Sequence, residues 1–204
     1  MPGSPVYQNK NVYAPVGVKS LIKAYWKSNQ YDIDTRMKDE GRPDIRKLTT
    51  AHEIREGVLI SNPEFEVSAL KNIHLPVKNS YSFRFKLGKS TIVFSGDTAY
   101  FPPLATFSTG ADYLVHEVMY TPAVDDIAKR RPNATTLIAS IKSHHTNAED
   151  VGRIAQAANV KNLVLTHFVP PDDKSLTDQV WIEAVKTHFK GKILIGKDLS
   201  QFEI

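Results

Sequence analysis

The chain has 204 residues, 41% hydrophobic and 24% charged, enough for one large domain or two small ones with a buried core and unlike a disordered tail. Its 26 basic and 22 acidic residues leave a net charge of +4 scattered along the chain, a weak pointer to anionic substrates and no nucleic-acid signature. With no cysteine, disulfides and thiolate metal sites are excluded, and any metal must be held by histidine and carboxylate.

The first element predicted is a helix over Val18 to Trp26, where Val18, Leu21, Ile22 and Tyr25 recur at helical spacing after a Pro15-Val16-Gly17 turn. Tyr31 to Arg46 has alternating charges and a Gly41-Arg42-Pro43 break, and reads as a surface excursion with one short helix. Gly57 to Ile60, Phe65 to Leu70, Tyr81 to Phe85 and Thr91 to Ser95 are β-rich runs separated by turn clusters, and read as a four-strand meander. Beyond Asp97 single strands at Tyr113 to Glu117, Asn162 to His167 and Lys192 to Gly196 alternate with helices near Thr136 to Lys142, Ala148 to Ala158 and Asp178 to Phe189. The expected fold class is therefore α/β (α+β), a strand meander followed by alternating βα units. With no repeat and no linker, residues 1–204 are expected to form a single domain.

No run reaches the roughly 18 apolar residues of a membrane span, and Met1-Pro2-Gly3-Ser4-Pro5 lacks the parts of a signal peptide. The expectation is a soluble protein without a membrane partner, cytoplasmic by default, and periplasmic or secreted if an N-terminal signal is missing.

Three polar residues fall where strands end: His74 after Ala69-Leu70-Lys71-Asn72-Ile73, Asp97 in Ser95-Gly96-Asp97-Thr98, and His167 after Leu163-Val164-Leu165-Thr166. Strand ends are where side chains converge while the backbone stays paired. A histidine closing one strand is by itself more often a hydrogen-bonded loop residue than a ligand; three such residues together are more telling. Imidazole and carboxylate suit zinc, manganese or iron, and a carboxylate can bridge two ions. His116, before Glu117, and His145, in His144-His145-Thr146, also lie beside element ends, where a non-ligating histidine could donate a proton. The simplest reading of His144 is an exposed loop residue, and His52 and His188 read as surface or helix histidines. No G-x-S-x-G, G-x-x-x-x-G-K-[ST] or G-x-G-x-x-G occurs, so the sequence gives no support to serine hydrolase, P-loop or dinucleotide-binding chemistry.

These residues resemble the metallo-β-lactamase-fold hydrolases, and among them the ribonuclease Z and arylsulfatase-like branch, from VYAPVGVKSLI onward. NIHLPVKNSYSFRF is similar to that branch's ligand histidine and strand pair, TIVFSGDT to its Gly-Asp-Thr strand end, and NLVLTHFVPP to its last ligand strand. The resemblance implies a partial αββα sandwich, His74 on a first metal, Asp97 as the metal bridge and His167 on a second metal. LVHEVMY and HTNAEDVGRIAQAANVKNLVLTHF resemble the branch's accessory motifs, which makes His145 the candidate proton donor and Glu117 the residue orienting it. The implied cofactor is divalent metal, zinc first and manganese or iron as alternatives, two ions in the complete family site. The implied reaction is hydrolysis of an ester, whether phosphodiester, sulfate ester or lactone, by a metal-activated hydroxide.

The signature His-x-His-x-Asp-His is absent from the sequence. The expectation is therefore an N-terminally incomplete domain, impaired alone and prone to self-association, with a non-catalytic binding module or degenerate fragment as the alternative. About a dozen residues of hairpin fit between Tyr81 and Asp97, leaving no room for a basic RNA-gripping arm. A small-molecule ester is expected as substrate ahead of transfer RNA.

Overall fold

The computed structural model describes residues 8–130, 133, 135–171 and 173–203. The chain divides into two compact units, Met1–Arg55 and Glu56–Ile204. The boundary falls in Ile54-Arg55-Glu56-Gly57, a stretch without linker composition.

In the first unit β1 (Lys10–Ala14) and β2 (Thr49–Glu53) form a two-stranded parallel sheet, Lys10 opposite Thr49. The helices α1 (Val18–Ser28) and α2 (Gln30–Glu40) connect them. The first matches the expected helix, with Val18 buried. The second is a full 11-residue helix where the sequence predicts an excursion with one short helix. Its support is electrostatic: Arg36 reaches Asp32 at 2.9 Å and Glu40 at 3.1 Å, one turn to either side. Such pairs stabilise a helix whose apolar periodicity is nearly absent.

The second unit is built on one seven-stranded mixed sheet in sequence order. Its strands are β3 (Gly57–Ser61), β4 (Phe65–Lys71), β5 (Tyr81–Leu87), β6 (Ser90–Phe94), β7 (Tyr113–Met119), β8 (Asn162–Val169) and β9 (Lys192–Ile195). Neighbours from β3 to β6 are antiparallel, the expected meander, and β6 to β9 are parallel. The crossovers hold α3 (Pro103–Phe107), α4 (Thr121–Arg130), α5 (Thr135–His144), α6 (Ala148–Ala158) and α7 (Asp178–Lys186). No helix among the described residues is long and apolar enough to cross a membrane.

Alternation along the parallel strands sorts the two faces of the sheet. Val93, Leu114, Val118, Leu163 and Leu165 pack with Leu104 of α3, Val151 and Ile154 of α6, and Trp181 and Val185 of α7 into the main core. The same alternation puts His116 with Leu114 and Val118 on this covered face, where it is fully buried. Helix α6 approaches α7 so closely that a Cβ on Gly152 would meet the carbonyl oxygen of Val185 at 2.5 Å. On the opposite face Ile92, Phe94, Tyr113, Val115 and Val164 line a groove shared with Phe202 of the C-terminal stretch. The Tyr113 hydroxyl donates to the carbonyl of Glu203 there.

Candidate metal centre

Strand β4 is separated from β6 by two antiparallel steps, so it runs in the same direction as β6, β7 and β8. The carboxyl ends of all four strands therefore lie at one edge, the place where open α/β sheets bind ligands. His74 follows β4, in a tight loop where it bridges to Val77. Asp97 follows β6. Gly96, at φ 60, makes that turn: a Cβ there would sit 2.8 Å from the carbonyl oxygen of Tyr81. Glu117 lies near the end of β7, His167 near the end of β8, and His145 in the crossing from α5 to α6.

His167 owes its position to a β-bulge. Glu117 pairs with Thr166 but Val118 pairs with Phe168, so His167 is the extra residue, held at φ 45. Leu163 and Leu165 face the helices, and strict alternation would bury His167 beside them. The bulge gives that place to Phe168 and turns His167 out toward the strand end, as bulges beside functional sites do. Its Nε2 lies 3.4 Å from the Asp97 carboxylate.

Glu117 is 1% exposed. Its Oε1 accepts the backbone N–H of Thr146 at 2.7 Å and, more weakly, that of Thr98 at 3.4 Å. Thr146 also donates its hydroxyl to the carbonyl of Thr98 at 2.7 Å. The buried carboxylate thus ties the loop carrying His145 to the loop carrying Asp97. The other oxygen, Oε2, lies 3.3 Å from Nδ1 of His145, off the line of a hydrogen bond, and both atoms are buried without a hydrogen-bond partner. Burial pushes the His145 imidazole toward its neutral form, but the Glu117 carboxylate and the more distant charge of Asp97 outweigh it, and its pKa is raised. Burial lowers the pKa of His144, with His74 and His145 adding to the effect.

The five predicted site residues are thus brought to one edge. The His145 ring stands 5.3 Å from the His167 ring and 6.0 Å from the His74 ring. Among the described residues the set whose ligand atoms all lie within 4.8 Å of one another is Glu117, His145 and His167, and not His74, Asp97 and His167. Carboxylate oxygen with imidazole nitrogen is a donor set that divalent zinc or manganese accepts. Two unpartnered buried donor atoms at its centre fit a cation as well. His116 stands outside the site. Its Nδ1 lies 2.6 Å from the carbonyl oxygen of Glu117, Nε2 has no partner, and burial lowers its pKa. Sequence reasoning passed over His144, the last residue of α5. It is half-buried instead of exposed in a loop, its ring 4.9 Å from that of His74. Ser140, one turn earlier on the same helix, places its Oγ 3.4 Å from the His144 Nδ1.

The family described as Beta-lactamase superfamily domain matches residues 6–168 of the chain. Ribonuclease Z of Mycobacterium tuberculosis (strain H37Rv) is 26% identical over 193 residues, 95% of this chain and 68% of that protein. Among solved structures, the metallo-beta-lactamase fold protein YhfI from Bacillus subtilis superposes with a TM-score of 0.60 at 23% identity. That match covers 94% of this chain and 64% of YhfI, so the chain spans about two thirds of that protein. PqqB from Methylobacterium extorquens, solved with Zn2+ bound, gives a TM-score of 0.61 at 14% identity over 97% of this chain and 63% of PqqB. These likenesses establish a metallo-beta-lactamase fold with a mixed sheet and flanking helices, and the family match extends from the first unit into β8: the chain belongs to the beta-lactamase superfamily, and within it resembles ribonuclease Z.

Proposed function

We propose that the chain is a metal-dependent hydrolase of an ester, with a phosphodiester as the substrate class. The observation that carries this reading is the meeting of three imidazoles and two carboxylates from five chain segments at one sheet edge, two of their donor atoms buried and unpartnered. His74, Asp97 and His167 would hold the metal, zinc first and manganese or iron as alternatives, with Asp97 able to offer an oxygen to each of two ions. When bound, a divalent ion supplies Lewis acidity that polarises the ester and brings the ionisation of a water toward neutrality.

The chain's own residues do the rest. His145, whose hold on a proton the Glu117 carboxylate strengthens against the opposing effect of burial, delivers that proton to the leaving oxygen. Glu117, anchored by two backbone N–H groups, holds the loop that carries that ring and sets a carboxylate beside it. The name of the curated relative, ribonuclease Z, favours a phosphodiester over a sulfate ester or lactone. A small-molecule ester is the second reading. It is favoured by the tight β5–β6 connection, only Gly88 and Lys89, and by exposed Ile73, Leu75, Val77 and Tyr100 near His74. The chain carries no His-x-His-x-Asp-His. With fewer ligands its hold on metal is weak and its turnover alone is feeble.

The test is hydrolysis of bis(4-nitrophenyl) phosphate by the purified chain in zinc and in manganese. Metal-dependent turnover lost in Asp97→Ala is expected; equal rates for wild type and Asp97→Ala in both metals would overturn the reading. Retention of metal by His145→Ala assigns that residue to proton transfer, and its loss assigns it to the Glu117, His145 and His167 ligand set.

A further inference from the structure

Four histidine rings cluster at this edge, those of His74, His144 and His145 in a triangle with sides of 4.9, 6.0 and 6.4 Å, and their spacing divides them. Two imidazoles sharing one zinc-like ion each place a nitrogen about 2.0 to 2.1 Å from it, and hence a ring centre about 3.2 Å away. Ring centres are then about 4.5 Å apart at a right angle between ligands and about 5.2 Å apart at the tetrahedral angle. His145 and His167, at 5.3 Å, have the tetrahedral spacing. His74 and His145, at 6.0 Å, are too far apart to share an ion comfortably. His74 and His144, at 4.9 Å and inclined by 29°, fall inside the range.

His144 also has the environment of a ligand. A ligating histidine commonly donates its other ring N–H to an oxygen, which fixes the tautomer and leaves the remaining nitrogen with its lone pair exposed. Ser140 Oγ faces Nδ1 at 3.4 Å, and Nε2 has no hydrogen-bond partner among the described residues. Both rings are half-buried, and a turn about each Cβ–Cγ bond changes the direction of the nitrogens while the backbone stays fixed.

We infer that His144 is a metal ligand, joining His74 at the ion that the resemblance assigns to His74, beside the ion at Asp97 and His167. The inference rests on the metal-dependent reading above and adds a residue to it. Residues 144 and 145, adjacent in the chain, serve different positions because one closes α5 and the other is drawn toward Glu117. With His74, His144 and one oxygen of Asp97 as protein ligands the position keeps a coordination place open, suited to an ion that also takes an anionic oxygen of the substrate.

The sequence has no cysteine, so His144→Cys introduces the only thiol in the chain. Titrated with Co2+, folded His144→Cys is expected to develop a thiolate-to-cobalt charge-transfer band in the near ultraviolet, absent from wild type and lost when His74→Ala is added. Calorimetric titration of the chelator-treated chain with Zn2+ is expected to give two ions for wild type and one for His144→Ala, far-ultraviolet circular dichroism confirming that both are folded. A folded His144→Cys saturated with Co2+ but without the band overturns the inference. So does equal zinc stoichiometry and affinity in wild type and His144→Ala. A wild-type chain that binds neither metal overturns the metal-dependent reading itself, and this inference with it.

Discussion

His167 sits at φ 45, where a side chain bearing a Cβ is disfavoured by about 1 kcal/mol or more relative to glycine. Strain of this kind persists where the surroundings over-determine it, and it clusters at functional sites. Replacing the residue separates its two properties. His167→Gly and His167→Ala should both lose metal, but the glycine variant should be the more stable by about 1 kcal/mol in chemical denaturation. Asp97 and His145 should separate differently. Asp97→Ala should lose metal and turnover together, because the bridging charge is gone. His145→Ala should keep its metal by equilibrium dialysis while turnover falls about 10²-fold to 10⁴-fold, the usual loss for a positioned proton donor. At this scale much of the site was legible. His74, Asp97 and His167 were visible as polar residues closing β runs, and the resemblance supplied roles for His145 and Glu117. The contact between His144 and His74 was not legible, because it joins a helix end to a loop 70 residues earlier and no local pattern encodes it. His116 was a mistaken candidate that alternation could have excluded, since it shares parity with Leu114 and Val118.

Sequence periodicity found α1, α5, α6, α7 and β3 to β9, most of them with a clear apolar face. Those it missed are short or rich in charge. Strands β1 and β2 carry mixed short sequences, Lys-Asn-Val-Tyr-Ala and Thr-Thr-Ala-His-Glu, and pair in parallel with two helices between them, so no hairpin signal announces them. Helix α3 has only five residues, and α4 is rich in charge, with Ala123 and Val124 its buried residues. Helix packing supports a prediction of its own. Alanine at an exposed helix position is usually benign or stabilising, yet at Gly152 its methyl would lie 2.5 Å from the Val185 carbonyl of α7. Gly152→Ala should therefore cost about 1 to 3 kcal/mol, the range for overpacking, read as a lowered urea midpoint with an unchanged slope.

Within the second unit the apolar core and the candidate centre draw on different residues, with Glu117 the one member of the centre that also ties loops of the fold together. The main core is aliphatic and aromatic throughout, and none of the five site residues belongs to it. A polar tie also lies at the opposite end of the parallel strands from the site. Asp112 accepts the backbone N–H of Thr91 at 2.8 Å and the ammonium of Lys161 at 2.6 Å, joining the starts of β6, β7 and β8. Lys161 first, and then Thr91, hold its carboxyl below the usual carboxylate range. A carboxyl lowered on folding contributes stability that is complete above its unfolded value and fades as the pH falls through its folded one. Asp112→Asn should thus cost about 1 to 2 kcal/mol at neutral pH. The gap from wild type should close only in acid, below about pH 4, as followed by thermal melts. The bulge in β8 carries the same separation to its limit. Because His167 is the one residue there without a partner on β7, excising it would let Thr166 and Phe168 follow one another with every remaining side chain still on its own face. Deletion, ordinarily the harshest change a central strand can suffer, should here leave a regular ladder that melts no lower than His167→Ala, with metal binding lost on the reading proposed above: His167 is a residue that the pairing of the sheet does not need.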